Sequence, residues 1–453
     1  MDSKLSFSSY LALGTTLFAL FFGAGNLIFP AELGQDAGVN LWPAVIGFAI
    51  TGVGLPLLGV LAIGYSSSRD LQDLSSRVHP VYGILFTSLL YLTIGPFFAA
   101  PRTGAVAYDI GFAPFIGEEH ARLGLFLFSL VFFGVTLWLS LNPAKLVERV
   151  GKVLAPALII LLLVLLTMAA INPIGGFGEP QGDYASNPFV TGFKEGYNTM
   201  DALASLVFAI IIIDAVRRMG VTSTRGILAA TAKSGLFAII LLGVIYTGIA
   251  YLGATSTGEF GLFDTGGAVL SNGASYYFGK TGMLLLAALI TLACLTTSIG
   301  LMTAVGEYFN RLIPKISYKV FVTFFTTLSF VIANFGLANI IKYSIPVLMF
   351  LYPLAIVIMI LAFASPLFHH ARYVYVSTIA VTFLISIFDG LSALCVQLDM
   401  EPFAWMKPIL NFYKSILPLY SDGLGWLVPA LTVLVITGVI ARVSAPSAQT
   451  TSN

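Results

Sequence analysis

The stretch Phe18 to Glu32 reads FALFFGAGNLIFPAE, a long apolar run that is interrupted at its middle. The interruption is Gly23-Ala24-Gly25-Asn26, and neither glycine nor a buried asparagine is favourable inside a lipid-embedded helix. Irregular backbone at membrane depth is tolerated only within protein or beside a water-filled cavity. Two interpretations follow: a kinked helix that packs through small residues, or a broken helix whose free amides and carbonyls bind a solute and an ion.

The composition of the whole chain is that of a polytopic membrane protein. Of its 453 residues, 58% are hydrophobic and only 9% are charged, whereas soluble domains carry about 25% charged residues. The net charge of +1 provides no field that would attract nucleic acid. The sequence contains no phosphate loop, no nucleophile–base pair and no cluster of metal ligands, so neither an enzyme nor an organic cofactor is expected.

Twelve apolar runs approach the length of about 20 residues that a spanning helix needs. The runs lie near residues 7–31, 41–65, 81–108, 123–141, 150–171, 189–213, 226–253, 282–306, 318–334, 339–365, 373–394 and 424–442. We therefore predict one transmembrane domain over residues 1–453. The segment near 397–421 mixes aromatic residues with Lys407 and Lys414, which predicts a segment lying at the membrane interface.

The distribution of charge predicts an orientation with both termini in the cytoplasm. In that orientation fifteen of the 22 Lys and Arg residues, Lys4 and Lys145 among them, lie on the cytoplasmic side. The seven others are Arg102, Arg122, Lys194, Lys280, Lys342, Lys407 and Lys414. Six acids fall in loops predicted to be outside: Glu32, Asp36, Glu179, Asp183, Glu259 and Asp264. The chain is expected to be a multi-pass protein of the cell membrane.

The sixth run contains a second interruption. Its continuous apolar part, Ala202 to Ile213, would reach only about 18 Å as a helix, too short for a hydrocarbon core of about 30 Å. The span must therefore include Phe189 to Met200, which places Asp201 near mid-depth. An ionisable group there indicates function; the alternative interpretation is that Asp201 only caps the following half-helix by accepting hydrogen bonds from its first amides.

Interruptions in the first and sixth runs predict an inverted repeat of five helices. The first repeat would cover residues 7–171 and the second 189–365, with residues 373–442 forming helices eleven and twelve. Because five is odd, the second repeat begins on the opposite side of the membrane. Paired interrupted helices in such repeats indicate the binding site of a transporter.

Three further polar or irregular positions within the runs each allow two interpretations. Thr296-Thr297-Ser298 is typical of hydroxyls that bond back to the preceding turn, but also of a sodium site built from uncharged oxygens. Gly95 and Pro96 are expected to loosen the third helix. Arg102, near the predicted outer end, either extends towards the interface or acts as an outer gate that attracts carboxylates.

Three long stretches of this chain resemble the branched-chain amino acid:cation symporters, the BrnQ-type family, within the wider LeuT-fold group. The stretches are Phe21 to Pro30 (FFGAGNLIFP), Ile94 to Phe98 with Pro101 to Thr103, and Thr199 to Leu206 (TMDALASL). The resemblance runs over nearly the whole chain. It implies an all-α transporter with twelve transmembrane helices, a five-plus-five inverted repeat and broken helices one and six.

The resemblance also implies a substrate site and a sodium site. Gly23 to Asn26 would hold the substrate carboxylate, while carbonyls near Phe22 and in the break around Asn198 and Thr199 would take the ammonium. The full substrate set is Phe22, Gly23, Ala24, Gly25, Asn26, Phe97, Phe98, Asn198, Thr199, Asp201, Leu203, Val207 and Phe208. The sodium site would use the carbonyls of Ala19, Phe22 and Ala293 with the hydroxyls of Thr296 and Thr297. A second cation site would involve Phe21, Asn26 and Thr199, with Asp201 as a further ligand.

We expect a sodium-coupled importer of leucine, isoleucine and valine, with Na⁺ as the co-transported ion and Phe97, Phe98, Leu203, Val207 and Phe208 as pocket walls. The chain departs from the wider group in lacking an arginine between Ile28 and Pro30, which puts the usual outer salt-bridge gate in doubt. A proton-coupled or exchange transporter of the same fold, in which Asp201 titrates, remains an alternative. So does a channel or a solute-sensing receptor. The oligomeric state stays open.

Overall fold

The structure is a computed structural model that describes residues 5–141 and 146–444; the predicted cytoplasmic residues Lys4 and Lys145 lie outside these ranges. Within them every regular secondary-structure element is a helix. The α-helices are α1 (Phe7–Phe21), α2 (Gly25–Ala37), α3 (Leu41–Ala49), α4 (Leu55–Tyr65), α5 (Leu71–Ser76), α6 (Pro80–Leu92), α7 (Ala99–Gly111), α8 (Ala121–Ser140), α9 (Leu146–Ile171), α10 (Pro188–Glu195), α11 (Asp201–Arg218), α12 (Thr224–Phe260), α13 (Gly266–Leu312), α14 (Tyr318–Ala333), α15 (Leu337–Ala364), α16 (Arg372–Gln397), α17 (Lys407–Ile416) and α18 (Leu427–Ser444).

Eight helical stretches in the described part of the chain are long and apolar enough to cross a membrane. They are Gly25–Tyr65, Pro80–Phe115, Ala121–Ser140, Thr224–Phe260, Gly266–Leu312, Leu337–Phe368, Arg372–Gln397 and Leu427–Ser444. The bent pair Pro188–Thr199 and Asp201–Arg218 makes a ninth if it counts as one span. The apolar helices Phe7–Phe21, Pro156–Ile171 and Tyr318–Ala333 are shorter. The fold is therefore that of a multi-pass membrane protein.

The helical course of the chain is interrupted at residues 22–24 and again at residues 196–200. α1 ends at Phe21, Phe22 has an extended conformation (φ −74°, ψ 95°), and α2 begins at Gly25. In the second interruption a 3₁₀ turn, Gly196–Thr199, is followed by Met200 in the left-handed region (φ 62°, ψ 7°), and α11 begins at Asp201. The chain axis bends by 45° at this point.

A third irregularity lies between α6 and α7. Residues Thr93–Phe97 form a π-helical turn in which Gly95 leaves the helical region (φ −90°, ψ −117°). Pro96 lacks an amide hydrogen and cannot restore the ladder. The expected loosening at Gly95-Pro96 is thus a change of direction that leads into the first turn of α7, where Arg102 lies.

The two interrupted segments pack against different helices. α1 and α2 both pack against α12, whereas α10 and α11 pack against α3 and α4. The backbones approach closely in both interfaces: a Cβ added at Gly34 would lie 1.9 Å from the Ala250 carbonyl oxygen, and one at Gly192 would lie 2.0 Å from the Ala44 carbonyl oxygen. Small residues at such contacts are typical of membrane helix packing.

Several predicted boundaries are wrong. Glu32 and Asp36 do not lie in a loop but within α2, and Glu259 lies within α12. The run predicted at 282–306 belongs to the longer helix α13, which changes direction at Gly279 (φ 62°). The reason is that helices in this protein continue past the apolar core into polar sequence, where hydropathy no longer marks their ends.

Candidate functional site

The two helix interruptions meet through a buried polar network around Asn26. The Asn26 Oδ1 atom accepts a hydrogen bond from the Gly23 amide at 3.0 Å, and this bond joins the first break to the first turn of α2. The Asn26 Nδ2 atom donates to Asp201 Oδ2 and to Tyr246 Oη. The Tyr246 hydroxyl also donates to Asp201 Oδ2 at 3.0 Å. One asparagine therefore links the first break, the second break and α12.

Asp201 does not act as a helix cap. It is the first residue of α11, and the preceding Met200 occupies the N-cap position without any side-chain cap bond. The Asp201 carboxylate instead accepts hydrogen bonds from Asn26 and Tyr246, and it is 3% exposed. A buried carboxylate is tolerated only when such donors satisfy it. The capping interpretation is therefore wrong, and the carboxylate is directed at the first break.

A small cavity lies where these groups meet. Its volume is about 40 Å³. The predicted site residues that line it are Phe21, Gly23, Ala24, Gly25, Asn26, Thr199, Asp201, Phe208 and Thr297. The residues that the sequence analysis did not place there are Leu20, Ile94, Ala99, Arg102, Thr103, Met200, Ala204 and Leu301. The cavity is narrow in this conformation.

The remaining predicted wall residues lie elsewhere. Leu203 and Val207 are buried in the core next to the cavity but do not line it. Phe97 and Phe98 are half-buried, their rings face each other edge-on at 6.4 Å, and neither lines the cavity. The turn at Gly95 directs the chain so that Ile94 and Ala99, on either side of the two phenylalanines, line the cavity instead.

The predicted sodium ligands of α13 lie together. The Ala293 carbonyl oxygen accepts hydrogen bonds from Thr296 Oγ1 at 2.8 Å and from Thr297 Oγ1 at 3.1 Å. Both hydroxyls therefore bond back to the preceding turn, and the same geometry gathers three oxygen atoms within one helical turn. A Cβ added at Gly23 would lie 3.4 Å from Thr297 Cγ2, so this turn faces the first break. Ala19 lies in the last turn of α1 and Phe22 directly follows that helix.

The second break also contains a local hydrogen-bond network. Asn198 Nδ2 donates to Glu195 Oε1 at 2.9 Å, and Thr199 Oγ1 donates to the Gly196 carbonyl at 2.9 Å. The Thr199 hydroxyl in turn accepts a bond from the Asp201 amide at 3.3 Å. The Asn198 carbonyl oxygen accepts a hydrogen bond from Arg102 Nη1 at 2.5 Å.

Two residues at this site differ from what the sequence predicts. Tyr246 is absent from the predicted set, although its hydroxyl is a polar group within the apolar run 226–253, which is the signal that indicates it. Arg102 does not extend towards the interface as a lipid-facing arginine would, because it is 2% exposed and lies in the core beside the cavity.

Interrupted helices that meet at a buried, charged cavity inside a multi-pass membrane protein are typical of a secondary transporter. The model of the branched-chain amino acid transport protein family matches residues 6–444, and the chain belongs to that family. It is therefore a transport protein and not an enzyme.

Similar proteins agree with this assignment. The chain is 47% identical over 449 residues to the branched-chain amino acid permease BraB of Bacillus subtilis (strain 168), covering 99% of each chain. It is 45% identical over 431 residues to the branched-chain amino acid permease BrnQ of the same organism, covering 95% of this chain and 96% of the relative. A solved structure of Mhp1 in its inward-facing conformation is similar with a TM-score of 0.60 at 13% identity, over 96% of this chain and 90% of that chain. This likeness shows a LeuT-type fold.

Proposed function

We propose that this protein is a sodium-coupled symporter that takes up leucine, isoleucine and valine by alternating access. The observation that carries the proposal is the meeting of the two interrupted helices at Asn26 and Asp201. The names of the similar BraB and BrnQ permeases support branched-chain amino acids as the substrate. We place the protein in the cell membrane with both termini in the cytoplasm.

The proposed architecture has twelve transmembrane helices in a five-plus-five inverted repeat followed by two further helices. Its support is the exchange of partners between the broken segments. α1 and α2 form the first helix and pack on α12 of the second repeat; α10 and α11 form the sixth helix and pack on α3 and α4 of the first repeat. An inverted repeat requires this reciprocal arrangement, because its symmetry exchanges helix one with six and helix two with seven.

In the proposed substrate site the amides at the start of α2 hold the carboxylate, since a helix N-terminus favours an anion. Asp201 and the carbonyls of the second break take the ammonium. The aliphatic side chain is expected to contact Phe208, with Phe97, Phe98, Leu203 and Val207 reached only when the narrow cavity opens. An apolar pocket separates side chains by only about 1–3 kcal/mol per methylene, so the three substrates should compete.

Sodium is proposed to bind between α1 and α13, at the carbonyls of Ala19, Phe22 and Ala293 and the hydroxyls of Thr296 and Thr297. Hard cations prefer oxygen ligands, and three of these five groups already lie within one turn. A second cation could use Phe21, Asn26 and Thr199 with Asp201. Coupling requires that sodium bind one conformation more tightly than the other.

The buried Asp201 carboxylate favours one second candidate, a proton-coupled or exchange transporter of the same fold. Leucine uptake into proteoliposomes separates the two. With an inward sodium gradient, we expect accumulation that isoleucine and valine compete away. Uptake that does not depend on sodium but increases when the outside is acidic would contradict sodium coupling. It would support proton coupling at Asp201.

Thr297→Ala tests the position of the ion. Removal of one hydroxyl ligand should raise the sodium concentration for half-maximal uptake by about tenfold, the effect of about 1.4 kcal/mol. Thr327→Ala is the matched control, since Thr327 Oγ1 makes the same back-bond, 2.8 Å to the Thr323 carbonyl, on the exposed face of α14. An equal sodium dependence in both variants would exclude Thr297 as a ligand.

A further inference from the structure

Arg102 is buried, and among the described residues no carboxylate forms a salt bridge with it, although Glu195, Asp201 and Glu32 are near enough to act on its charge. Its Nη1 donates to the Asn198 carbonyl at 2.5 Å, and its Nη2 donates to Ser344 Oγ at 3.3 Å. The guanidinium lies over the Phe29 ring, with 4.9 Å from Cζ to the ring centroid. Its Nε–H has no hydrogen-bond partner, and none of the ion pairs among residues 5–141 and 146–444 involves it. A buried cation with an unused donor is costly unless something else satisfies it.

The guanidinium lies beside the start of α2. A Cβ added at Gly25 would be 3.3 Å from Arg102 Nη1, so the arginine contacts the first turn of that 13-residue helix. No side chain caps the amides of this turn, and Ala24 occupies the N-cap position. Gly25 and Arg102 line the same cavity. A full positive charge and the partial positive charge of a helix N-terminus therefore converge on one side of it.

Asp201 supplies the opposite charge in the same cavity, and none of the salt bridges in the described part of the chain joins it to the arginine. Asp201 takes its hydrogen bonds from Asn26 and Tyr246, while Arg102 is held by Asn198 and Ser344. The cavity thus has separate positive and negative walls. A zwitterionic α-amino acid carries the complementary pair of charges, one carboxylate and one ammonium, on neighbouring atoms.

We infer that Arg102 is a binding residue for the α-carboxylate of the transported amino acid, acting together with the amides at the start of α2. The inference rests on the proposed function and adds to it the group that neutralises the substrate's negative charge. When the cavity opens, the unused Nε–H and one Nη–H can bind the two carboxylate oxygens side by side, the geometry for which arginine is suited. Lysine at this position would keep the positive charge but lose the pair of parallel N–H donors.

The test compares leucine with leucinamide, which keeps the ammonium and the side chain but replaces the carboxylate by a neutral amide. Binding of both to purified protein in saturating sodium is measured by calorimetry for the wild type, Arg102→Gln and Arg102→Lys. Arg122→Gln is the matched control, because Arg122 is an exposed arginine predicted to lie on the same side of the membrane. Sodium-dependent thermal stabilisation reports whether each variant is folded.

We expect the wild type to prefer leucine, and Arg102→Gln to reduce that preference at least tenfold by weakening leucine and sparing leucinamide. Arg102→Lys should lie between them, and Arg122→Gln should match the wild type. Equal weakening of both ligands in Arg102→Gln and Arg102→Lys would overturn the inference and make Arg102 a gate or a packing residue. Wild-type protein that binds neither ligand would refute the proposed function itself, and the inference with it.

Discussion

The two helix interruptions meet at one cavity but are built differently. The first takes up three residues, 22–24, between α1 and α2; it contains Gly23, and Gly25 directly follows it as the first residue of α2. The second has no glycine at its turning point, because a single residue, Met200, adopts a left-handed conformation between a 3₁₀ turn and α11. The first leaves uncapped amides at the start of α2, and the second places a carboxylate, Asp201, at the start of α11.

This difference gives the cavity its polarity. Helix N-termini carry partial positive charge, and both interruptions expose one. At the first break that charge remains available to an anion. At the second break Asp201 occupies the first helical position and presents a negative group, which is satisfied by Asn26 and Tyr246. Two local structures with the same backbone dipole thus present opposite charges to a ligand.

The largest effect is expected at the second break. Asp201→Asn removes the negative charge from the cavity wall while preserving size, and should reduce sodium-driven leucine uptake about 100-fold, as expected for loss of a charged hydrogen-bond group worth about 1.5–3 kcal/mol. Uptake into proteoliposomes measures this. Asp214→Asn is the matched control on the same helix, because Asp214 pairs with Arg217 at the surface, 3.3 Å away. Similar uptake by both variants would remove Asp201 from the mechanism.

A smaller effect is expected for substitutions of Met200, the residue with a strained backbone conformation in the second break. A left-handed conformation costs a residue other than glycine about 1–2 kcal/mol, and a β-branched side chain tolerates it worst. Met200→Val should therefore weaken leucine binding about fivefold, equivalent to about 1 kcal/mol, whereas Met200→Gly should stay within about twofold of the wild type. Calorimetry on purified protein tests both. Weaker binding in the glycine variant than in the valine variant would show that the Met200 side chain matters more than its backbone.

The smallest effect is expected at the first break. A Cβ at Gly23 would lie 3.4 Å from Thr297 Cγ2 and 3.7 Å from Asn26 Oδ1, contacts that need only slight movement. Gly23→Ala should raise the sodium concentration for half-maximal uptake by about threefold, less than full overpacking would cause. Gly300→Ala serves as the control on α13, since a Cβ there meets nothing within 4 Å. A change in leucine affinity without a change in sodium dependence would separate this break from the ion site.

Much of the architecture follows from local chemistry. A chain with 9% charged residues and repeated apolar runs must be embedded in lipid. Gly23 to Asn26, and the polar residues that precede the short apolar part after Asp201, both predict that a helix is weakened nearby. The structure has its interruptions at residues 22–24 and 196–200. The family resemblance, carried by long stretches such as Phe21 to Pro30, is confirmed by the match over residues 6–444. Each of these features depends on residues that are close together in the sequence, so the sequence alone is enough to predict it.

The composition of the cavity was decided only by tertiary packing. Asn26 and Asp201 are 175 positions apart, Asp201 and Tyr246 are 45 apart, and Arg102 reaches a carbonyl 96 positions away. Phe97 and Phe98 were expected as walls, yet the turn at Gly95 places Ile94 and Ala99 there instead. Helical periodicity gives the face of one helix, but the rotation and depth of helices against each other come from close backbone contacts such as Gly34 with Ala250. Those contacts bring the positive and negative walls together, and no single stretch of sequence contains that information.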